Sequence, residues 1–487
     1  MNTVRAHRRF PLRAVLIAAV AASMTACTVA PIYERPAIAQ TANYKEAPEA
    51  AATWFAAAPA DTWQRGPWWQ LFGDPVLSGL LEQVEVSNQN VAAAVAGYAQ
   101  AQALVRQERA AFFPSLSLDA STTRSGGGGS LGKPTSTQLD LAASWAPDVW
   151  GQLRLSVESA QAAAQASAAN LAAARLSAQA ALAIDYFALR EADNEIDLLG
   201  RAVDGYERAL RITKNQYEAS IAQRTDVLQA QTQLESTRAS LTAMVTQRAV
   251  LEHAIALLLG KAPAQFSLAV APWNLTVPTV PLGLPSELLQ RRPDIAASER
   301  AVAQANAQVG IQRAAYYPSV ALSASYGAAG SNVPSLFRAS NALWSAGLSA
   351  AQIIFDAGAI DARIANALAA RDIAVANYRQ TVLNAFVGVE DQLSNIRSYA
   401  QQEAQRRAAS ADADLTEQLT FNQYLQGQVP YTTVVTAQIT ALSARQTLSQ
   451  LMSSRQAAAI SLIQALGGGW HDTPVAQGQP APTPGQP

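Results

Sequence analysis

The sequence predicts a mainly α-helical protein that also contributes strands to a membrane β-barrel. Three observations lead to this fold class. Alanine, the strongest helix former, makes up about a fifth of the 487 residues, whereas aromatic residues make up only 7%. Four segments of about ten residues alternate apolar and polar side chains, as strands do. The chain also contains two copies of one unit, because several short motifs recur about 205 residues apart.

The duplication is visible in residue pairs at a nearly constant spacing. Phe113-Pro114-Ser115 recurs as Tyr317-Pro318-Ser319, 204 residues later. Further along the chain the matches are 207 residues apart, and they are Gly151 with Gly358, Tyr217 with Tyr424, and Gly260 with Gly467. Each unit is predicted to run helix, strand, strand, long helix, return helix.

The predicted boundaries follow from prolines, glycines and changes of periodicity. Residues 1–26 are predicted to form a signal peptide. Residues 27–85 are predicted to form an extended N-terminal segment and the equatorial region, which is the belt around the helical bundle described below. The first repeat covers 86–260, a proline-rich linker 261–285, the second repeat 286–470 and a disordered tail 471–487. We expect helices at about 88–112, 152–216, 226–259, 286–314, 359–423 and 431–466, and strands at about 115–124, 137–146, 319–327 and 342–353.

The strands have the length of tilted transmembrane strands, which need about 9–11 residues. Strands in lipid must close into a barrel, because an open edge cannot be hydrated there. Four strands are too few, since common barrels start at about eight strands. A homotrimer would supply twelve. The alternation predicts one set of residues that faces lipid, Leu118, Leu141, Leu322 and Leu348, and one that faces water, Ser117, Asp140, Ser323 and Ser349.

The helices predict a hollow bundle beneath this barrel. The helical pattern from 152 to 216 corresponds to roughly 95 Å at 1.5 Å per residue. The helices at 88–112 and 226–259 correspond to roughly 37 and 50 Å, so two short helices stacked end to end match one long helix. Small residues along the helix faces permit close approach of neighbouring helices.

The N-terminus has the pattern of a bacterial lipoprotein signal. A basic head (Arg5, Arg8, Arg9) precedes a short apolar stretch and Met24-Thr25-Ala26-Cys27. We expect cleavage before Cys27 and lipid attachment to it, which would anchor an exported protein. An ordinary secretory signal with an incidental cysteine is the alternative.

Composition excludes most other classes of function. The formal net charge of −1 gives no case for nucleic-acid binding. One cysteine and three distant histidines make a metal site improbable, so no metal and no cofactor is expected beyond the lipid on Cys27. Gly126–Gly129 lacks the Lys-Ser/Thr of a phosphate-binding loop. Ser130-Leu131-Gly132-Lys133 matches a serine acyl-enzyme pattern without its companion motifs, so an enzyme is not expected.

Several motifs resemble the outer membrane factors, the TolC-like efflux channels, in their NodT-type lipoprotein branch. The resemblance spans about residues 27–470 and is carried by Cys27–Pro36, Trp68–Pro75, Asp148–Gly151, Leu288–Ile295 and Phe355–Gly358. It implies a trimeric, passive duct in the outer membrane of a Gram-negative bacterium, with a long periplasmic extension. Its implied partners are a periplasmic adaptor (membrane fusion) protein, an inner-membrane RND-type pump and outer-membrane lipid. The exported compounds would be drugs or other toxic small molecules.

The resemblance also assigns roles to the two periplasmic turns. Ser220 and Gly427 fall at the small-residue positions of the adaptor contact. Asp226 and Tyr424 fall at a closing contact, in which we expect the Tyr424 hydroxyl to donate to the Asp226 carboxylate. Three positions depart from the family pattern: Val429 stands where a basic partner is expected, and Thr433 and Thr436 stand where the aspartates of the entrance are expected.

Two other functions remain open at this point. The same duct could serve a type I protein-secretion system. The chain could instead be a lipid-anchored periplasmic coiled coil without a pore, although the four alternating strands argue against that reading.

Overall fold

The computed structural model describes residues 31–38, 44–46, 67–124, 135–278 and 291–468. These residues form seven α-helices and four β-strands. The helices are α1 (Pro75–Ser87), α2 (Gln89–Ala110), α3 (Gln152–Glu218), α4 (Arg224–Leu258), α5 (Pro293–Ala314), α6 (Ala359–Leu425) and α7 (Tyr431–Ala465). The strands are β1 (Ser115–Arg124), β2 (Thr135–Trp145), β3 (Ser319–Gly330) and β4 (Ala342–Ala351). The predicted order of elements is confirmed in both repeats.

Some expectations lie outside the described residues. They concern the signal peptide and Cys27, Gly126–Gly129, Ser130–Lys133, the linker after Pro278 and the tail at 471–487. One region is more helical than expected. Residues 68–72 form a short 3-10 helix and α1 follows it, because Asp74 accepts hydrogen bonds from the backbone amides of Val76 and Leu77 and so caps the new helix.

The described residues divide into two compact units, and each long helix contributes to both. The first unit takes residues 31–38, 96–124, 135–168 and 297–380, which include all four strands. The second unit takes 44–46, 67–95, 169–278, 291–296 and 381–468, which include the turns after α3 and α6.

The strands of the first unit form one antiparallel sheet in the order β1-β2-β3-β4. Leu118 pairs with Leu141, which in turn pairs with Tyr326, while Leu322 pairs with Leu348. Directly paired residues share a face of a sheet. The four leucines predicted to share a face therefore do so, and the opposite face carries serines, Asp119 and Asp140. Which face meets lipid stays a prediction.

Prolines end α2 and α5 before the strands begin, and an aromatic contact joins two of the turns. Pro114 and Pro318 follow α2 and α5 and push the preceding residue out of the helical region. The Trp150 ring stacks on Tyr317 with 4.9 Å between ring centroids, and its indole N–H donates to the Pro318 carbonyl at 2.7 Å. This contact joins the turn before α3 to the turn before β3.

The main core of the second unit lies where the 3-10 helix packs on α3. Trp68, Trp69 and Phe72 are buried, and the Phe72 ring lies 5.1 Å from Phe187. The Tyr186 hydroxyl donates to Asp74 at 2.7 Å, so the residue that caps α1 also joins it to α3. No helix among the described residues is both long and apolar enough to span a membrane.

Candidate functional site

The two helix-to-helix turns of the second unit have the same backbone geometry. After α3, the Ile221 amide donates to the Gln216 carbonyl and the Ser220 amide to the Tyr217 carbonyl. After α6, Gln428 donates to the Gln423 carbonyl and Gly427 to the Tyr424 carbonyl. Both sets of bonds are those of a Schellman motif, which requires one residue in the left-handed region. That residue is Ser220, with φ 61°, in the turn after α3, and Gly427, with φ 72°, in the turn after α6.

A tyrosine cluster lies beside these turns and joins α3, α4, α6 and α7. Tyr424 and Tyr431 meet edge to face with 5.1 Å between ring centroids. The cluster also contains Tyr206, and its apolar members are Leu210, Ala230, Leu234 and Val434. Tyr431 is 1% exposed and Tyr424 is 7% exposed. The cluster therefore packs as a small core at the end of the hairpins.

The Tyr424 hydroxyl donates to the Gln216 side-chain oxygen at 2.5 Å. The expected bond from Tyr424 to Asp226 is therefore wrong within this chain. Asp226 lies in the first turn of α4, where its carboxylate accepts from the Gln223 backbone amide at 3.2 Å and completes a capping box. Free backbone amides at a helix start attract a carboxylate, which explains why Asp226 turns toward its own helix.

Asp226 still acts on the cluster through its charge. Burial raises the pKa of Tyr424, and the negative charge of Asp226 adds to that rise, while the Thr213 hydroxyl partly offsets it. Burial likewise raises the pKa of Tyr431 above its ordinary value. Both phenols thus stay neutral at physiological pH and can act as hydrogen-bond donors.

The remaining predicted site residues lie at the surface. Ser220 and Gly427 are exposed at the two turns, and Thr433 and Thr436 are exposed on the first turns of α7. The Thr436 hydroxyl donates to the Thr432 carbonyl of its own helix at 3.0 Å. Across the described part of the chain, no three His, Cys, Asp or Glu side chains gather as a metal site would require.

Sequence reasoning missed Gln216 and Tyr431. A signal for Gln216 was present, since the dipeptide Gln216-Tyr217 recurs as Gln423-Tyr424 with the spacing of the duplication. The duplication gave no such signal for Tyr431, because the residue 207 positions earlier is Arg224.

Comparison with known proteins decides what this fold is. The sequence model of the outer membrane efflux protein family matches residues 80–261 and 284–468, one segment for each repeat. The chain belongs to the outer membrane efflux protein family. The match covers both hairpins and the whole sheet.

Similar proteins agree with this assignment. The cation efflux system protein CusC of Escherichia coli O6:H1 is 30% identical over 93% of this chain and 97% of its own length. The pyoverdine export outer membrane protein OpmQ of Pseudomonas aeruginosa is 29% identical over 86% of this chain and 90% of its own.

Solved structures of outer-membrane channels share the fold. The channel OprN superposes with a TM-score of 0.81 at 27% identity, covering 91% of this chain and all of its own. The open state of the Neisseria gonorrhoeae channel MtrE gives a TM-score of 0.79 at 27% identity, covering 91% and 98%. This efflux protein is therefore an outer-membrane exit duct of a tripartite efflux pump in a Gram-negative bacterium. Its family is one of channels and not a class of enzymes.

Proposed function

We propose that three copies of this efflux protein form one duct whose periplasmic entrance is held closed by the Tyr424 cluster. The duct passively conducts small molecules that an inner-membrane RND-type pump delivers through a periplasmic adaptor. The observation that carries the proposal is the hydrogen bond from Tyr424 to Gln216, because it ties the end of α6 to the end of α3 beside the turns. Loss of this hydrogen bond would let the two hairpins separate.

The sheet supports assembly with further copies. In the order β1-β2-β3-β4, the described strands leave β1 and β4 with one unpaired edge each. Unpaired edges are not tolerated in lipid, so β1 of one copy would pair with β4 of the next until the barrel closes. Three copies give twelve strands, an ordinary size for an outer-membrane barrel.

Apolar side chains at both ends of the sheet support its placement in a membrane. Phe113, Ile354 and Phe355 are exposed where β1 begins and β4 ends. Phe337 and Trp344 are exposed at the opposite end. Outer-membrane barrels carry aromatic girdles at both interfaces around an apolar band. The leucine face between these ends would then meet the acyl chains.

A lipid on Cys27 fits the position of the N-terminal segment. The Asn306 side chain on α5 donates to the Pro31 carbonyl at 3.0 Å, and the Tyr33 hydroxyl donates to Glu299. These contacts hold the segment against the first unit, which contains the sheet. Four residues of chain reach at most about 14 Å, so a lipid on Cys27 would be tethered close to Pro31. Cys27→Ser should abolish fatty-acid labelling and leave the trimer intact, and persistent labelling would refute the anchor.

The names of the relatives favour small-molecule export over protein secretion. CusC is named for cation efflux and OpmQ for pyoverdine export. We therefore propose small molecules as cargo and a resistance-type pump and adaptor as partners, with Ser220 and Gly427 at the adaptor contact.

Conductance in planar bilayers tests the closed entrance. Tyr424→Phe removes the donor and keeps the ring packing, so we expect higher basal conductance than in the wild type. Gln216→Leu should have a similar effect, and the double variant should add little, because both changes remove one interaction. Tyr217→Phe is the matched control, since Tyr217 is the exposed counterpart of Tyr424 in the first repeat. Wild-type conductance in Tyr424→Phe, or additive effects of the two single variants, would contradict the proposal.

A further inference from the structure

One buried and one partly buried carboxyl group lie on α3 away from the tyrosine cluster. Glu191 and Glu195 are one helical turn apart, so they share a face of the helix. Glu195 is 3% exposed, and Glu191 is partly buried. Both side chains face α7, the return helix of the other repeat. A buried carboxylate is expensive unless it is paired or protonated.

The partners of both glutamates are neutral. One carboxyl oxygen of Glu195 accepts from the Gln446 amide of α7, and the other is buried without a hydrogen-bond partner. Glu191 accepts from the Ser449 hydroxyl at 3.2 Å, and Ser449 also accepts from Asn194. An amide or hydroxyl donor cannot neutralise a carboxylate, so these contacts do not balance a negative charge on either glutamate.

The nearby cationic side chains are engaged elsewhere. On α3 and α4, Arg190 and Arg248 pair with Asp193, and Arg248 also lies near Glu252. On α7, Arg445 and Arg455 pair with carboxylates of α6, namely Asp414, Glu417 and Glu403. The exposed Asp197 pairs with Arg201. In the described part of the chain, no ion pair reaches Glu191 or Glu195.

We propose that the packed α3–α7 contact holds one proton on each of Glu191 and Glu195, and that loss of these protons loosens α3 from α7. Burial raises the pKa of Glu195 above its ordinary value, and the Gln446 hydrogen bond only partly offsets this. Burial also raises the pKa of Glu191, with the Glu195 charge adding to the rise and Ser449 opposing it. The proposal concerns helix packing and stands apart from the Tyr424 contact.

The direction of the pH effect follows from proton linkage. A carboxyl group with a raised pKa in the packed state stabilises packing fully below its ordinary pKa. That stabilisation is lost as the pH rises toward the raised pKa, and packing is independent of pH above it. For each proton released on loosening, the opening equilibrium changes up to about tenfold per pH unit inside this window.

Hydrogen exchange of the full-length protein in detergent tests the proposal. The amides of α7 between residues 442 and 453 are measured from pH 5 to pH 9 and corrected for the chemical exchange rate. In the wild type we expect opening to increase with pH, by up to about tenfold per unit for each proton released, before it levels off. Glu195→Gln mimics the protonated side chain and keeps the acceptor for Gln446, so it should remove most of the increase. Glu191→Gln should remove part of it.

The control variant is Asp197→Asn, whose carboxylate is exposed on the same helix. It should keep the wild-type pH dependence. An undiminished pH dependence in both glutamine variants would overturn the proposal. Wild-type opening that is suppressed by Mg²⁺ or Ca²⁺ at high pH, with no such effect in Glu195→Gln, would show a cation site in place of a proton and would overturn it as well.

Discussion

The two helical hairpins, α3–α4 and α6–α7, share one backbone plan and differ in how charge holds them together. In the first hairpin, Asp193 bridges Arg190 at 2.9 Å and Arg248 at 2.6 Å, and the Asp193 side chain is 2% exposed. In the second hairpin, Arg445 bridges Asp414 at 2.7 Å and Glu417 at 3.0 Å, and all three are partly exposed.

The buried bridge of the first hairpin has an additional role. The Arg248 guanidinium donates to the Leu268 carbonyl at 2.7 Å, and Arg190 donates to the Ala269 carbonyl at 2.8 Å. The Leu268 amide in turn donates to Glu252 at 2.6 Å. The ion cluster thus fastens the segment after α4 to the bundle. The comparison shows that duplication preserved the helices and turns, while the side chains between the helices diverged.

The largest expected effect separates the two ion clusters. Asp193→Ala leaves the buried Arg190 guanidinium without its carboxylate and leaves Arg248 with Glu252 alone, which should cost about 3–5 kcal/mol. Asp414→Ala leaves Arg445 with Glu417 in a partly exposed pair and should cost about 1 kcal/mol or less. The midpoint of urea unfolding, followed by helical circular dichroism in detergent, measures both. Equal losses for the two variants would contradict the difference between the hairpins.

The position of Asp193 permits a second readout of the same change. In Asp193→Ala, amide exchange at residues 266–270 should rise, because Arg190 and Arg248, which donate to the carbonyls of this segment, lose the carboxylate that positions them. Exchange at the turn near Gly427 should stay unchanged, because none of the described bonds joins the Asp193 cluster to that turn.

The residue in the left-handed conformation can be exchanged between the two turns by mutation. Ser220 has φ 61°, a conformation that costs an L-residue about 1–2 kcal/mol and glycine almost nothing. Ser220→Gly should therefore stabilise the first turn by about 1 kcal/mol. A Cβ at Gly427 would meet no atom within 4 Å, so Gly427→Ser should destabilise the second turn by a similar amount through its backbone alone.

Amide exchange at residues 219–223 and 426–430 measures the two variants. The changes should have opposite signs and similar size. If Gly427→Ser is neutral, the left-handed conformation is not maintained at that turn, and the two turns are less alike than the hydrogen bonds indicate.

The sequence and the structure differ most at the turns after α3 and α6. The alternation of small, polar and apolar residues determined the sheet faces, because strand register follows directly from a period of two. The duplication located both turns. The acceptor for Tyr424 could not be chosen in the same way, since Gln216 and Asp226 lie on opposite sides of one turn and only their three-dimensional placement decides. The resemblance indicated Asp226 as the acceptor, but the capping box of α4 takes its carboxylate.

The smallest expected effect, that of Asp226→Asn, tests whether Gln216 and not Asp226 is the acceptor for Tyr424. Asp226→Asn keeps the size of the side chain and removes its charge from the first turn of α4, where a carboxylate contributes about 0.3–1 kcal/mol. Amide exchange at residues 223–227 should therefore rise by no more than about fivefold. Basal conductance should stay close to the wild type, because the Tyr424 hydroxyl keeps its bond to Gln216. The pKa of Tyr424 should move down toward its ordinary value, since the Asp226 charge contributes to its rise. An increase in conductance as large as that of Tyr424→Phe would instead mean that the assembled duct closes through Asp226.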